Sequence, residues 1–136
     1  MIAVASDADQ RSRLLAMRAL AVLRDTRCIE SLVSALSERS VLGEAAWRVL
    51  RMLTAQDFGS DEARWRAWLE RHGARPRTEW LIASLDHDDP EIRAIASSDL
   101  IREAGQDFGY RINMPQDDRR AVMERFRLWW STRADA

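Results

Sequence analysis

Leu85-Asp86-His87-Asp88-Asp89-Pro90-Glu91-Ile92-Arg93, continuing through Ala96 and Leu100 to Gly105, carries both ends of a helix and the face that it buries. Asp89 offers a side-chain acceptor just ahead of Pro90, whose missing amide costs nothing in a first helical turn, so the two read as N-cap and first helical residue. Arg93, Ala96, Leu100 and Glu103 follow at spacings of three, four and three. Such spacing lines one helix face, with a small Ala where a neighbouring helix comes close. Gly105 is placed to close the helix in the left-handed conformation. The segment predicts a helix from Pro90 to Ala104.

Working outward, the same row occurs earlier in the chain. Arg13, Ala16, Leu20 and Leu23 have this spacing, and Gly43, Ala46, Leu50 and Leu53 repeat it with Gly in place of Arg. Ala46 and Ala96 are therefore expected at helix–helix contacts. From Ala16 to Ala46 is 30 residues and from Ala46 to Ala96 is 50. A second repeat accounts for the difference. Gln56-Asp57-Phe58-Gly59 returns as Gln106-Asp107-Phe108-Gly109, each copy leading to an Arg- and Trp-rich helix. Arg64, Trp65, Trp68 and Leu69 in the first are echoed by Arg125, Phe126, Trp129 and Trp130 in the second. Residues 55–74 thus read as a motif plus helix inserted between two ordinary repeats. Phe58 and Phe108 are expected to plug the core, and Gly59 and Gly109 to supply backbone angles that other residues resist.

The pattern gives about seven helices. The first covers about 8–24 with Ser6 or Asp7 as cap, and the second about 27–38 with Asp25 or Thr26. The third covers about 41–54. Ser60 caps a Trp helix over 61–72, closed by Gly73 and Pro76. Thr78 caps the fifth helix, which runs to Asp86. The sixth is the one quoted above, and the last runs from Pro115 to Thr132. With only 5 Gly and 3 Pro in 136 residues, tight turns are too few for an all-β fold. Apolar runs are too short to cross a bilayer. The opening Met1-Ile2-Ala3-Val4-Ala5-Ser6-Asp7 lacks the basic start of a secretory signal. A lone Cys28 cannot form an internal disulfide, which fits a reducing cytoplasm.

Leu85, the acidic turn, Pro90, the Ile92-Arg93 pair, Ala96 and Leu100 resemble the core signature of HEAT repeats. The 30-residue step is similar to the short HEAT-like repeats of bacterial proteins, including relatives of phycobilin lyases. The Phe-Gly motif with its Trp-rich helix resembles an appendage of bacterial HEAT proteins. The resemblance implies an all-α, short HEAT-like α-solenoid of stacked antiparallel helix pairs, one domain over 1–136 with repeat units at about 8–38, 41–74 and 78–132. It also implies a curved surface used for protein contact. It carries over no catalytic residues.

Chemistry-bearing motifs have structural explanations at hand. Asp57-Phe58-Gly59 matches the kinase magnesium motif, but the Gly-rich loop, strand Lys and catalytic loop are missing, and all 21 basic residues are Arg. His87 with Asp86, Asp88 and Asp89 reads as an inter-helix turn, since soft metal ligands are scarce and His72 lies in another loop. Cys28 starts an amphipathic helix with no His near it in sequence. The expectation is no enzyme, no metal and no cofactor.

The leading expectation is a non-enzymatic module that holds another protein on the concave side lined by the second helices of each pair. There Arg27, Glu30, Ser31 and Ser34 lie opposite the inward Leu32, Val33 and Leu36, while Glu79 and Trp80 stand at the rim of the fifth helix. Trp130, replacing Leu69 in the repeat comparison, is the candidate edge contact of the last helix. Nucleic-acid binding, as in the HEAT-like alkylpurine DNA glycosylases, would need a cationic groove. Arg64, Arg66, Arg71, Arg75 and Arg77 offer a local patch, but a net charge of −1 argues against neutralising a phosphate backbone. A bilin-chaperoning activity follows from the repeat resemblance alone. Neither the composition nor the motifs identify the partner.

Overall fold

The computed structural model describes residues 2–38 and 41–134. Among these residues every regular element is helical: α1 (Ile2–Leu23), α2 (Ile29–Ala35), α3 (Val41–Thr54), α4 (Glu62–His72), α5 (Arg77–Ala83), a 3-10 turn (Ser84–Asp86), α6 (Pro90–Ala104) and α7 (Gln116–Ala134). None is long and apolar enough to cross a membrane. The helices form two compact units, one of residues 1–53 and 57–74, the other of 54–56 and 75–136.

In the first unit, α2 and its C-cap residue Leu36 bury Ile29, Leu32, Val33, Ala35 and Leu36 itself, and α3 buries Leu42, Ala46, Val49, Leu50 and Leu53. Ala46 has no exposed surface, as its place in the repeated row predicts. Gly43 stands where the other rows carry Arg for a local reason: any side chain there would run into the Glu38 carbonyl. In the second unit, Leu81, Ile82, Leu85, Ile92, Ala96, Leu100, Val122 and Phe126 form one cluster, closed by Tyr110 and Met123. The Tyr110 hydroxyl donates to the Leu85 carbonyl at 2.6 Å, so this buried phenol is satisfied. Burial pushes that phenol above its ordinary pKa.

Arg93 explains the aliphatic–Arg pair of the quoted stretch. It is buried, and its guanidinium donates to the carbonyls of Ile112 (2.9 Å), His87 (2.7 Å) and Asp88 (3.2 Å). One side chain thereby ties the acidic turn before α6 to the loop after it. Asp86 does similar work toward α7. Burial alone would raise its carboxyl, but hydrogen bonds from Arg119, Arg120 and Gln116 outweigh this and hold it below the ordinary range.

Several helix ends differ from expectation. α1 begins at Ile2, so Ser6 and Asp7 lie within the helix and not ahead of it. Asp25 and Thr26 do not cap α2; Cys28 occupies the N-cap position and makes no side-chain cap bond. Asp61, rather than Ser60, caps α4, accepting from the Arg64 amide at 3.1 Å. α5 starts one residue before Thr78, after Pro76, and the Thr78 hydroxyl instead donates to Glu103 at 3.0 Å. Asp89, Pro90 and Gly105 behave as read: Asp89 accepts from the Glu91 amide and Gly105 has φ 78°.

The duplicated motif builds the same corner in both units. Asp57 Oδ1 accepts from the Gly59 amide at 2.9 Å, and Asp107 Oδ1 from the Gly109 amide at 2.8 Å. Phe58 then meets Trp65 edge-on at 4.9 Å between ring centroids, and Phe108 meets Phe126 at 4.7 Å. Both phenylalanines are half-buried lids on the fully buried ring rather than plugs. The backbones are not identical, because Phe108 has φ 51° whereas Phe58 lies outside the left-handed region. Gly59 and Gly109 have φ 59° and 88°, with no contact closer than 3.5 Å where a Cβ would stand. Strain in the backbone is then the main penalty for any other residue. Val at either glycine should lower the unfolding free energy by about 1–3 kcal/mol, read as a shift in urea midpoint at constant slope. A change below about 0.5 kcal/mol at both positions would show that the corner does not require the left-handed angle.

Candidate functional site

The solvent face of α2 is polar, as its amphipathic spacing requires. Glu30, Ser31 and Ser34 are exposed beside Arg27 in the preceding turn, so the first unit does bring these four together. Their chemistry is already partly engaged. Arg27 grips Asp25 with two guanidinium hydrogen bonds of 3.0 and 2.8 Å, and its own amide donates to the same carboxylate at 3.0 Å. Those side-chain and backbone bonds hold the Asp25 carboxyl down at about 2. Ser34 Oγ accepts from Arg66 of α4 at 3.0 Å. The face carries no large apolar side chain to anchor a partner.

Glu79, Trp80 and Trp130 belong to the second unit. Trp80 corrects the sequence reading: it is 5% exposed and packs inward instead of standing at a rim. α5 is only seven residues long, so nearly all of its girth is needed to bury Thr78, Trp80, Leu81 and Ile82. Trp130 is half-buried against the core of its unit and tilts on Trp129 at 6.1 Å. Glu79 is half-buried.

The arginine-rich segment is less available than its composition suggests. Arg64 stacks over Phe58 at 5.1 Å, Arg66 reaches Ser34 and Glu62, and Arg77 forms a largely buried pair with Asp99 at 2.8 Å. Exposed Arg71 and Arg75 are on separate units. The His87 turn is equally structural, with Nδ1 accepting from the Asp89 amide at 3.0 Å. Among the described residues no group of three His, Cys, Asp or Glu side chains could hold a metal ion.

Sequence reading missed an open concavity in the first unit. α1 and α3 border an open groove of about 740 Å³, with Leu14, Met17 and Val22 on one wall and Val41, Val49 and Met52 on the other. Val22 is 76% exposed and Val41 57%, and Leu15 and Leu23 add exposed aliphatic surface on α1. Isolated exposed aliphatics are ordinary, but several around one concavity make it a candidate binding surface. Arg18, Arg24 and Arg48 also line the groove, with Glu44 as the sole carboxylate. Arg48 pairs with Glu44 at 2.9 Å. One signal was present in the sequence. Leu15 and Val22 are seven residues apart, two helical turns, on a face that the Arg13–Ala16–Leu20–Leu23 row does not account for.

Comparisons with family models, curated proteins and solved structures find no match for this chain.

The Asp25–Arg27 clasp gives a pH test of the polar face. The folded value of about 2 lies below the ordinary 3.8, so the pair contributes stability above the ordinary value and loses it as pH falls toward 2. A carboxyl carbon NMR titration should find the Asp25 midpoint near 2 and, in Arg27→Ala, which loses the guanidinium but keeps the amide bond, raised toward 3.8. A wild-type midpoint already at the ordinary value would mean that the clasp does not form in solution.

Proposed function

We propose that this chain is a non-enzymatic protein-interaction module of HEAT-like helix pairs, and that it holds a helical segment of another protein in the groove between α1 and α3. The observation that carries the reading is the aliphatic lining of that groove, open to solvent and flanked by exposed Val22 and Val41. An amphipathic helix lays an i, i+3, i+4, i+7 row into such a groove, and its removal from water supplies most of the affinity. The buried rows Ala46–Leu50–Leu53 and Arg93–Ala96–Leu100 and the HEAT-like stretch from Leu85 to Leu100 support the architecture, whereas the Arg13 row does not, since Ala16 is exposed and Leu23 is 73% exposed. Partner contact on α2 is secondary in this reading, because Arg27 and Ser34 already have partners in the chain and no apolar anchor stands beside them.

Two double variants separate these surfaces. Val22→Glu with Val41→Glu should weaken capture of the partner by more than about tenfold, since burying two unpaired carboxylates in an apolar contact costs several kcal/mol. Arg27→Glu with Glu79→Arg should leave capture within about threefold of wild type, as charge changes at an interface rim do. Affinity capture from cell extract, quantified by mass spectrometry, reads both, and circular dichroism checks that each variant folds. Capture that survives the valine variants and fails in the charge reversals would return the site to α2 and α5. A gel shift that weakens steeply between 50 and 200 mM salt, as phosphate contacts require, would instead make the chain a nucleic-acid binder.

A further inference from the structure

We infer that the helix held between α1 and α3 is acidic, with carboxylates flanking an aliphatic row; this rests on the protein-binding reading above. The charge around the groove carries the argument. Three guanidinium groups and one carboxylate line it, so its polar edge is cationic although the whole chain has a net charge of −1. Arg18 is exposed, and among the described residues no carboxylate pairs with it. Arg48 pairs with Glu44, but their side chains are 69% and 60% exposed. An ion pair this wet is held weakly and can exchange Glu44 for a partner carboxylate at little cost. Arg24 turns its guanidinium back on the Ala21 carbonyl, leaving Arg18 and Arg48 as the two outward cations.

The geometry favours a helix over a membrane surface or a second copy. A concavity between two helices accepts the ridge of a third helix, whereas a bilayer surface would leave its floor unfilled. Among the described residues the large exposed aliphatic away from α1 and α3 is Leu128 on α7, 69% exposed. Arg125 and Arg127 precede it by three residues and by one, so a second copy seated there would set arginine against the groove arginines. Pairing α1 with α1 of another copy would do the same at Arg18. The missing complement is negative.

The test uses two fluorescent, stapled peptides about five turns long, roughly 18 residues, and the full-length chain. Both carry the same leucines at i, i+3, i+4 and i+7; one has Glu at the flanking positions and the other Lys. Anisotropy titration should find the Glu peptide bound at least about tenfold more tightly than the Lys peptide, with the difference shrinking as salt rises. Arg18→Glu with Arg48→Glu, both at exposed positions, should reverse the preference without changing the melting curve. Val22→Glu with Val41→Glu should weaken the Glu peptide further. Equal binding of the two peptides overturns the acidic occupant and leaves the protein-binding reading standing. Failure of both peptides overturns the inference, whether light scattering then shows a dimer, vesicles rich in phosphatidylglycerol bind, or no probe binds. The protein-binding reading itself fails separately, if capture of a natural partner ignores the valine variants.

Discussion

The hydrogen bond from a glycine amide to the aspartate two residues before it, made once by Asp57 after α3 and once by Asp107 after α6, sets the direction in which the chain leaves each helix. Everything downstream depends on it. Once the corner is closed, Phe58 or Phe108 is carried onto the ring that its following helix must bury, Trp65 or Phe126. The following helix is then locked back to the corner in two different ways. Trp65 donates its indole N–H to the Gly59 carbonyl at 2.9 Å, whereas Arg125 donates to the Phe108 carbonyl at 2.8 Å. The carboxylates are reinforced too: Trp47 Nε1 reaches Asp57 at 2.8 Å, and the Gly109 amide together with Arg111 holds Asp107 below its ordinary pKa. Two solutions to one corner are what a duplicated segment shows after its surroundings diverge.

Arginine is used here mainly as a fastener. Arg93, Arg119 and Arg125 all donate to backbone carbonyls at loop ends, and Arg77 and Arg119 pair with partly buried carboxylates. The guanidinium fork suits this work because it spans several acceptors from one rigid plane. The consequence for function is direct. A run such as Arg64 to Arg77 looks like an anion-binding patch in sequence, yet three of its guanidiniums are spent on Phe58, Ser34 and Asp99. At the α1–α3 groove the economy is reversed, because Arg18 is not spent on the fold.

Legibility followed the strength of local signals. The helical class, the bounds of α3 and α6, the burial of Ala46 and Ala96, and the left-handed Gly59, Gly105 and Gly109 all follow from spacing, proline and glycine. α1 and α3 also end in left-handed residues, but these are Arg24 (φ 54°) and Ala55 (φ 53°), types that carry no such signature. Ala55 aligns with Gly105 in the 50-residue repeat and is buried, with its carbonyl accepting from Ser84 at 2.7 Å; packing and that bond hold a conformation that propensity resists. Trp80 was misread because a seven-residue helix has little spare surface, a tertiary fact absent from its own stretch. The groove escaped for a related reason. Leu14, Met17 and Val22 fall outside the Arg13–Ala16–Leu20–Leu23 row, and only the arrangement of α1 beside α3 shows that they border an uncovered groove.

The central claim is that the α1–α3 groove is where a partner helix is held, and amide hydrogen exchange of the full-length chain with and without its captured partner tests it most directly. The account predicts slowed exchange, on adding the partner, over residues 14–24 and 41–52, with residues 27–34 unchanged. Protection confined to residues 27–34 or to the second unit, with the α1–α3 amides unaffected, would contradict it.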